Sequence, residues 1–341
     1  MSKPTLLLTG ATGVLGRAFI KELADDYHVI GLRHRTPIDD PRVEEIQGSL
    51  GDEHLGLGQE GFEELAARVD VVLHSAARTG WRATREQLFA SNVTGTEYML
   101  GLARQAGAPF YYVSTAFVAR PQDEELRESG PAAYVDSKAA AEQAVRASGV
   151  PAAIVRPSVV GGDSQTGEIA NFQGLHKAIA SIVTGTVPVL PADADTPLDA
   201  IPSDLVARGV GRLIRGGITT GEYWLTAGKN SPTLGETVQL ILEVAERLGV
   251  APEHPPRLMP SEALDRLLLP LMEDAIPRAL RTQFRGFIEL MMLFQVSNSM
   301  ESSFEELGMA DEVTHEALLK AFEKSVEYWI ATKMPAREAV A

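Results

Sequence analysis

Eight residues near the start of the chain, Thr9-Gly10-Ala11-Thr12-Gly13-Val14-Leu15-Gly16, constrain its fold more than any other stretch. A short apolar run, Thr5–Thr9, precedes them, and an amphipathic segment, Val14 to Ala24, follows. Glycines spaced GxxGxxG between a strand and a helix suit a phosphate cradle. Gly10 would make the tight turn and Gly13 would let the backbone approach a pyrophosphate. Gly16 would let the helix pack against the sheet, with the helix N-terminus facing the anion. The spacing alone also fits an ordinary strand–helix turn; its position behind an apolar run favours dinucleotide binding. Gly10, Thr12, Gly13, Val14, Leu15 and Gly16 are therefore candidate cofactor contacts.

Further short apolar runs follow at Tyr27–Leu32, Val69–His74, Phe110–Ser114 and Ala152–Arg156, separated by helix-like stretches. Alternation of this kind reads as βαβ units around a parallel sheet buried on both faces. The expected fold class is α/β, a Rossmann-type doubly wound parallel sheet with a smaller, mainly helical C-terminal substrate domain. After Asp163 the prolines at 188, 191, 197 and 202 break the pattern until a helix at Ser203–Arg215 and a strand at Glu222–Ala227. From Thr233 onward the chain reads as helical, with a break at Pro252–Pro260. The expected division is a nucleotide-binding domain over 1–163, with 198–228 returning to it. A substrate-binding region would cover 164–197 and 229–341 and form the wall of a cleft.

Composition excludes several classes. With 31 Lys and Arg against 46 Asp and Glu, the net charge of −15 opposes bulk nucleic-acid binding. The absence of cysteine removes disulfides, thiolate zinc sites, iron–sulfur clusters and acyl-cysteine chemistry. The seven histidines show no ligand spacing, so no metal is expected. His74, at a strand end, reads as a packing or polar-contact residue. Ala178 to Ala192 is uncharged but carries Gly185, Pro188 and Pro191, which bars a spanning helix. A soluble, cytoplasmic protein is the expectation.

Two further places carry chemistry. After the second apolar run stand Arg33-His34-Arg35, where a carboxylate would hold a ribose hydroxyl. Cations there favour a 2′-phosphate, hence NADPH over NADH, with Arg33 and Arg35 as contacts. Downstream, Tyr134 and Lys138 are spaced i, i+4 at the opening of a helix-like segment, Ser137 to Arg146, and share one face. A phenol titrating near 10 needs a cation to become a useful acid–base group, and Lys138 is placed to supply it. Lys138 could also bind the nicotinamide ribose. Ser114-Thr115, at the end of the preceding strand, supplies a partner hydroxyl.

The glycine loop, the strand-end Ser114-Thr115 and Tyr134-Val-Asp-Ser-Lys138 together resemble the extended short-chain dehydrogenase/reductase family, as do Asn92-Val-Thr-Gly-Thr96 and Arg156-Pro157-Ser158. The resemblance makes Thr115 the catalytic hydroxyl beside Tyr134 and Lys138, and Asn92 a structural or proton-relay residue. It makes Pro157 and Val159 part of the nicotinamide wall, and adds Ser49, Leu50 and Ala76 to the cofactor contacts. Three segments resemble the thioester reductase and fatty acyl-CoA reductase branch: Gly48 to Leu57, Trp81 with Leu88 to Thr96, and Arg156 to Gly167 continuing through Phe172-Gln173-Gly174-Leu175. That branch usually has Asp where Ser49 stands.

This resemblance implies NADPH-dependent reduction of an acyl thioester, on coenzyme A or an acyl-carrier protein met in trans, to an aldehyde and possibly on to the alcohol. With no cysteine to take the acyl group, the reduction must proceed by direct hydride transfer. The alternatives are an oxidoreductase of the same family acting on a free aldehyde, ketone, alcohol or nucleotide sugar, and a nonenzymatic NADP-binding regulator. The pairing of Tyr134 with Lys138 weighs against the regulator. The Leu-, Met- and Phe-rich run from Leu264 to Met300 could line an acyl tunnel or simply form a core. Arg278, Arg281 and Arg285 within it could face a phosphopantetheine phosphate or an acidic carrier surface, or be a solvated face.

Overall fold

Apolar runs too short for helices become the strands of a single sheet. The structure, a computed structural model, describes residues 3–79, 83–119, 130–259 and 299–334. β1 (Thr5–Thr9) carries three consecutive leucines, all fully buried, as befits a strand covered on both faces. The glycine loop leads into α1 (Val14–Leu23), followed by β2 (His28–Arg33), β3 (Val43–Gln47), α2 (Gly58–Ala66) and β4 (Val71–His74). Next come α3 (Arg85–Phe89), a π-helical turn at Ala90–Thr94, α4 (Gly95–Ala106) and β5 (Phe110–Val113). α5 (Gly130–Ala147), β6 (Ala152–Pro157), β7 (Val159–Gly161), α6 (Gly174–Val183), β8 (Val189–Pro191) and β9 (Ala200–Pro202) continue the chain. α7 (Ser203–Arg215), β10 (Gly221–Leu225), α8 (Leu234–Arg247), β11 (Arg257–Met259) and α9 (His315–Lys333) complete the order used below.

The main sheet has seven parallel strands in the order β10-β6-β5-β4-β1-β2-β3. Leu7 of β1 lies opposite Ile30 of β2 on one side and Val72 of β4 on the other. The chain therefore runs outward from β1 to β3, then returns to β4 and continues the opposite way. Doubly wound sheets bind ligands at the C-terminal strand ends where this reversal occurs. Two elements differ from the sequence reading. β3, Val-Glu-Glu-Ile-Gln, is an edge strand with mostly polar residues, so it has no apolar run to announce it. α5 begins at Gly130 rather than Ser137, with Pro131 just inside its start, where its missing N–H costs nothing.

The chain divides into two compact units. The first comprises Met1–Ser158, Ser203–Thr226 and Ser302–Met309. On one face of its sheet Leu7, Ile30, Val72, Phe110 and Ile154 join a core with Phe62 of α2, Leu102 of α4 and Ala141 of α5. α1 and α7 pack together, fastened by Arg215, whose Nη1 reaches Glu22 at 2.6 Å and whose Nε reaches Asp26 at 2.8 Å. The second unit comprises Val159–Pro202, Ala227–Glu301 and Ala310–Ala341. In it β7 pairs with β9 and β8 with β11, and α6, α8 and α9 pack against one another. The segment 260–298, holding Arg278, Arg281, Arg285 and nearly all of the Leu264 to Met300 run, lies outside the described residues. Among the described residues no helix is long and apolar enough to cross a membrane.

Asp199, 3 % exposed, holds the loop that enters α8 by accepting the backbone N–H groups of Ala227 (2.8 Å) and Gly228 (2.9 Å). Asp199→Ala strands both donors in a buried setting. It should lower unfolding free energy by about 1.5–3 kcal/mol in urea titrations, the range for hydrogen bonds to a charged group, and Asp199→Asn should lower it by less.

Candidate active site

The glycine loop is shaped by close backbone approach. Gly10 has φ 75°, and a Cβ there would lie 2.8 Å from the Ala76 nitrogen, at the end of the neighbouring strand. A Cβ on Gly16 would run into the Gly10 carbonyl oxygen and the Ala11 backbone. Gly16 is thus needed by the loop itself, a tighter requirement than the helix–sheet packing expected of it. Gly13 donates its N–H to the Gly10 oxygen (2.9 Å) and occupies the N-cap of α1 without a side-chain cap, so the first turn keeps its N–H groups for a ligand. Val14 and Leu15 begin that turn.

Above the loop is a cavity of about 290 Å³ lined by Gly10, Thr12, Arg33, Arg35, Leu50 and Ala76 among others. A cradle that any Cβ would fill, an uncapped helix N-terminus and adjacent cations fit a dinucleotide phosphate. Arg35 lies exposed on the cavity wall, whereas Arg33 is engaged. Its Nε pairs with Glu45 at 3.0 Å and its Nη2 donates to Gln47 at 3.3 Å, both residues of β3. Glu45 also accepts the N–H groups of Ile38 and Asp39. Sequence reading missed this carboxylate because it missed the strand that carries it. Ser49 does not line the cavity; its hydroxyl accepts the Gly51 N–H at 3.3 Å.

A buried polar chain runs from the loop to α5. Thr9 Oγ1 accepts the N–H groups of Ser75 and Ala76 (3.2 and 3.1 Å), so its own proton goes to His74 Nδ1 at 2.7 Å. His74 Nε2 must then donate to Thr96 Oγ1 (3.1 Å), which donates to the Asn92 carbonyl (2.7 Å). The Asn92 side chain, in the π turn, accepts the Arg78 N–H at 2.7 Å and donates to Ser137 Oγ at 2.9 Å. Ser137 Oγ donates to the Tyr134 carbonyl at 2.7 Å. Burial, aided by the charge of Lys138, pushes His74 down to about 3, so the imidazole stays neutral as this chain requires. π turns concentrate at functional sites, but Asn92 gives no local signal of one. Trp81 lies outside the described residues.

Tyr134 and Lys138 stand one turn apart on α5, and Thr115 follows β5, where the short helical turn Ala116–Ala119 packs against α5. Thr115 and Lys138 are buried, and Tyr134 is half-buried. Lys138 Nζ donates to the Val113 carbonyl at 2.7 Å and sits 4.2 Å from the Tyr112 ring centroid. Burial pulls Lys138 down to about 7, against the opposing field of Glu142, and pushes Tyr134 up to about 12. Burial thus acts on the phenol in the opposite direction to the lowering that the i, i+4 spacing suggested. Pro157 ends β6 in the same unit. Val159 belongs to the second unit, where it pairs with Ala200. Among the described residues no group of three or more His, Asp or Glu side chains is placed to hold a metal.

A family profile described as male sterility protein matches residues 31–210. The chain is 35% identical over 228 residues to a glycine betaine reductase from Emericella nidulans, covering 54% of this chain and 18% of that protein. It is 31% identical over 246 residues to one of the linear gramicidin synthase subunits of Brevibacillus parabrevis, covering 61% of this chain and 5% of that one. The chain thus spans under a fifth of the length of these relatives. Its fold matches the terminal R domain from the myxalamid PKS-NRPS biosynthetic pathway with a TM-score of 0.76 and 23% identity, covering 97% of this chain and 91% of that one. The reductase (R) domain of a non-ribosomal peptide synthetase from Mycobacterium tuberculosis matches with a TM-score of 0.65 and 20% identity, over 97% and 92% of the two chains. A profile that covers more than half of the sequence makes the chain a member of the male sterility protein family.

Proposed function

We propose that the chain reduces an acyl or peptidyl thioester, carried on the phosphopantetheine arm of a carrier protein or coenzyme A, to an aldehyde with NADPH as reductant. The observation that carries this reading is the grouping in one unit of a phosphate-shaped glycine loop with a buried Lys138 and Tyr134 on the same helix face. The curated relatives support the substrate class, since they include a glycine betaine reductase and a gramicidin synthase.

Gly10, Thr12, Gly13, Val14, Leu15 and Gly16 would hold the pyrophosphate of the cofactor, with Leu50 and Ala76 beside it. Arg35, with Arg33, would take the 2′-phosphate, Ser49 would lie toward the adenine, and Lys138 would hold the nicotinamide ribose. Pro157 would border the nicotinamide. Asn92 would keep α5 in register through Ser137. NADPH, when bound, supplies a hydride for the thioester carbonyl carbon. As charge gathers on the carbonyl oxygen, Thr115 and Tyr134 donate hydrogen bonds to it, and Tyr134 then gives up its proton to form a hemithioacetal. The C–S bond breaks, the thiol leaves with the hydroxyl proton, and the aldehyde remains. No acyl-enzyme thioester can form on this chain, which has no cysteine.

NADPH consumption with a panel of acyl-carrier and acyl-CoA thioesters, with products identified by mass, tests the reading. Aldehyde or alcohol from a thioester supports it; turnover of free aldehydes with none from any thioester overturns it. Tyr134→Phe should lower kcat about 100-fold or more without loss of fold. Arg35→Ala should lower kcat/KM for NADPH about tenfold and leave that for NADH within about twofold.

Lys138 also reads out in stability. Its folded value of about 7 lies below the roughly 10.4 of an unfolded lysine, so between those values the unfolded chain binds the extra proton. Stability contributed by this group therefore rises with pH across that window. Relative to Lys138→Met, the wild type should gain stability from pH 7 to 9 in urea titrations, by at most about 1.4 kcal/mol per pH unit.

A further inference from the structure

One turn beyond Lys138 on α5 stands Glu142, 2 % exposed, which the reaction proposed above leaves without a role. Its carboxylate accepts two hydrogen bonds from Arg156 of β6, Nε at 2.8 Å to one oxygen and Nη2 at 2.6 Å to the other. Arg146, a turn further along α5, reaches it at 2.7 Å. Glu222 of β10 closes a ring, meeting Arg156 at 2.7 Å and Arg146 at 2.6 Å. Ser114, at the end of β5, also lies against Glu142. Around Lys138 the groups are different. Besides the Val113 carbonyl and the Tyr112 ring it has neutral His74 and, one turn earlier on α5, the protonated Tyr134.

The two arginines and two glutamates balance each other, so the ring needs nothing from Lys138. Lys138 needs the ring: apart from Glu142, the partners named above offer a buried ammonium only a dipole and a π face. Residues four apart on a helix share a face, which puts Glu142 on the same face of α5 as Lys138. We infer that Glu142 is a positioning residue that favours the ammonium form of buried Lys138, with Arg156 and Arg146 holding its carboxylate in place. Burial works to raise the Glu142 carboxyl, but the bonds from Arg156 outweigh it and hold it below the usual range. Its field in turn opposes the loss of charge that burial imposes on Lys138. The significance of this for turnover rests on the role proposed for Lys138; the electrostatic coupling does not.

The test is an NMR pH titration of the cofactor-free chain with 13C-labelled lysine, the Lys138 resonance assigned by its absence in Lys138→Met. Glu142→Gln should lower the Lys138 midpoint by about 1 pH unit or more, as expected for loss of a nearby opposite charge. The alkaline limb of the kcat profile should move down with it, and Glu142→Asp should restore most of both. An unchanged Lys138 midpoint in folded Glu142→Gln overturns the inference. Should that variant fail to fold around an orphaned Arg156, the double variant Glu142→Gln/Arg156→Gln removes both charges, and a smaller downward shift is expected of it, because loss of the Arg156 cation partly offsets loss of the carboxylate. A lowered midpoint in a protein that reduces no thioester would uphold the coupling while removing the reaction. Full kcat in Lys138→Met would remove the role of the lysine instead.

Discussion

A lysine that is 2 % exposed is the constraint around which this sheet's working end is organised. Moving a lysine charge out of water is costly unless ordered partners replace the lost hydration. The structure spends the end of β5 and the buried face of α5 on that replacement. The Val113 carbonyl, at the end of β5, accepts from Lys138 Nζ, and the Tyr112 ring lies beneath the ammonium end of the side chain. Tyr112 in turn stacks on His74 at a centroid distance of 5.9 Å, and burial holds His74 neutral between the hydroxyls of Thr9 and Thr96. A charged imidazole there would place a second cation beside the first.

The same arrangement ties the two ends of the site together. The polar chain from Thr9 to Ser137 has one consistent direction of donation, each hydroxyl giving its proton onward. It begins at the strand whose end becomes the glycine loop and finishes on the carbonyl of Tyr134. A shift of the loop is therefore felt on the helix through hydrogen bonds of fixed polarity, not only through apolar packing. Buried networks of this kind act as a unit when every member is satisfied.

Much of this was legible in the sequence where the signal is local. Glycine spacing, short apolar runs and the i, i+4 pair of Tyr134 and Lys138 need no knowledge of distant residues, and the sheet, α1 and α7 follow from them. What escaped is non-local. β3 carries Glu44 and Glu45 where a buried strand would carry valine or isoleucine, because only its partner β2 covers it. Asn92, in the π turn at Ala90–Thr94, accepts from residue 78 and donates to residue 137, both distant in sequence. The rise of the Tyr134 phenol comes from burial, which spacing does not encode. Glu142 and Arg156 look like surface charges in a sequence of net charge −15 until the fold closes over them.

The pairing of Arg33 with Glu45 alters how this cavity would have to be re-engineered. The charge on its wall is set in two separate places, residues 33–36 at the end of β2, which line it, and an acid on the edge strand beyond, which does not. A mutant library confined to the first would leave in place a carboxylate that already neutralises one of its two arginines. Changing Glu45 alone would free a cation without touching a cavity-lining position, and would also release the Ile38 and Asp39 amides that shape the rim. Cofactor choice in such a cavity is inherited jointly by two strands, so neither can drift independently of the other.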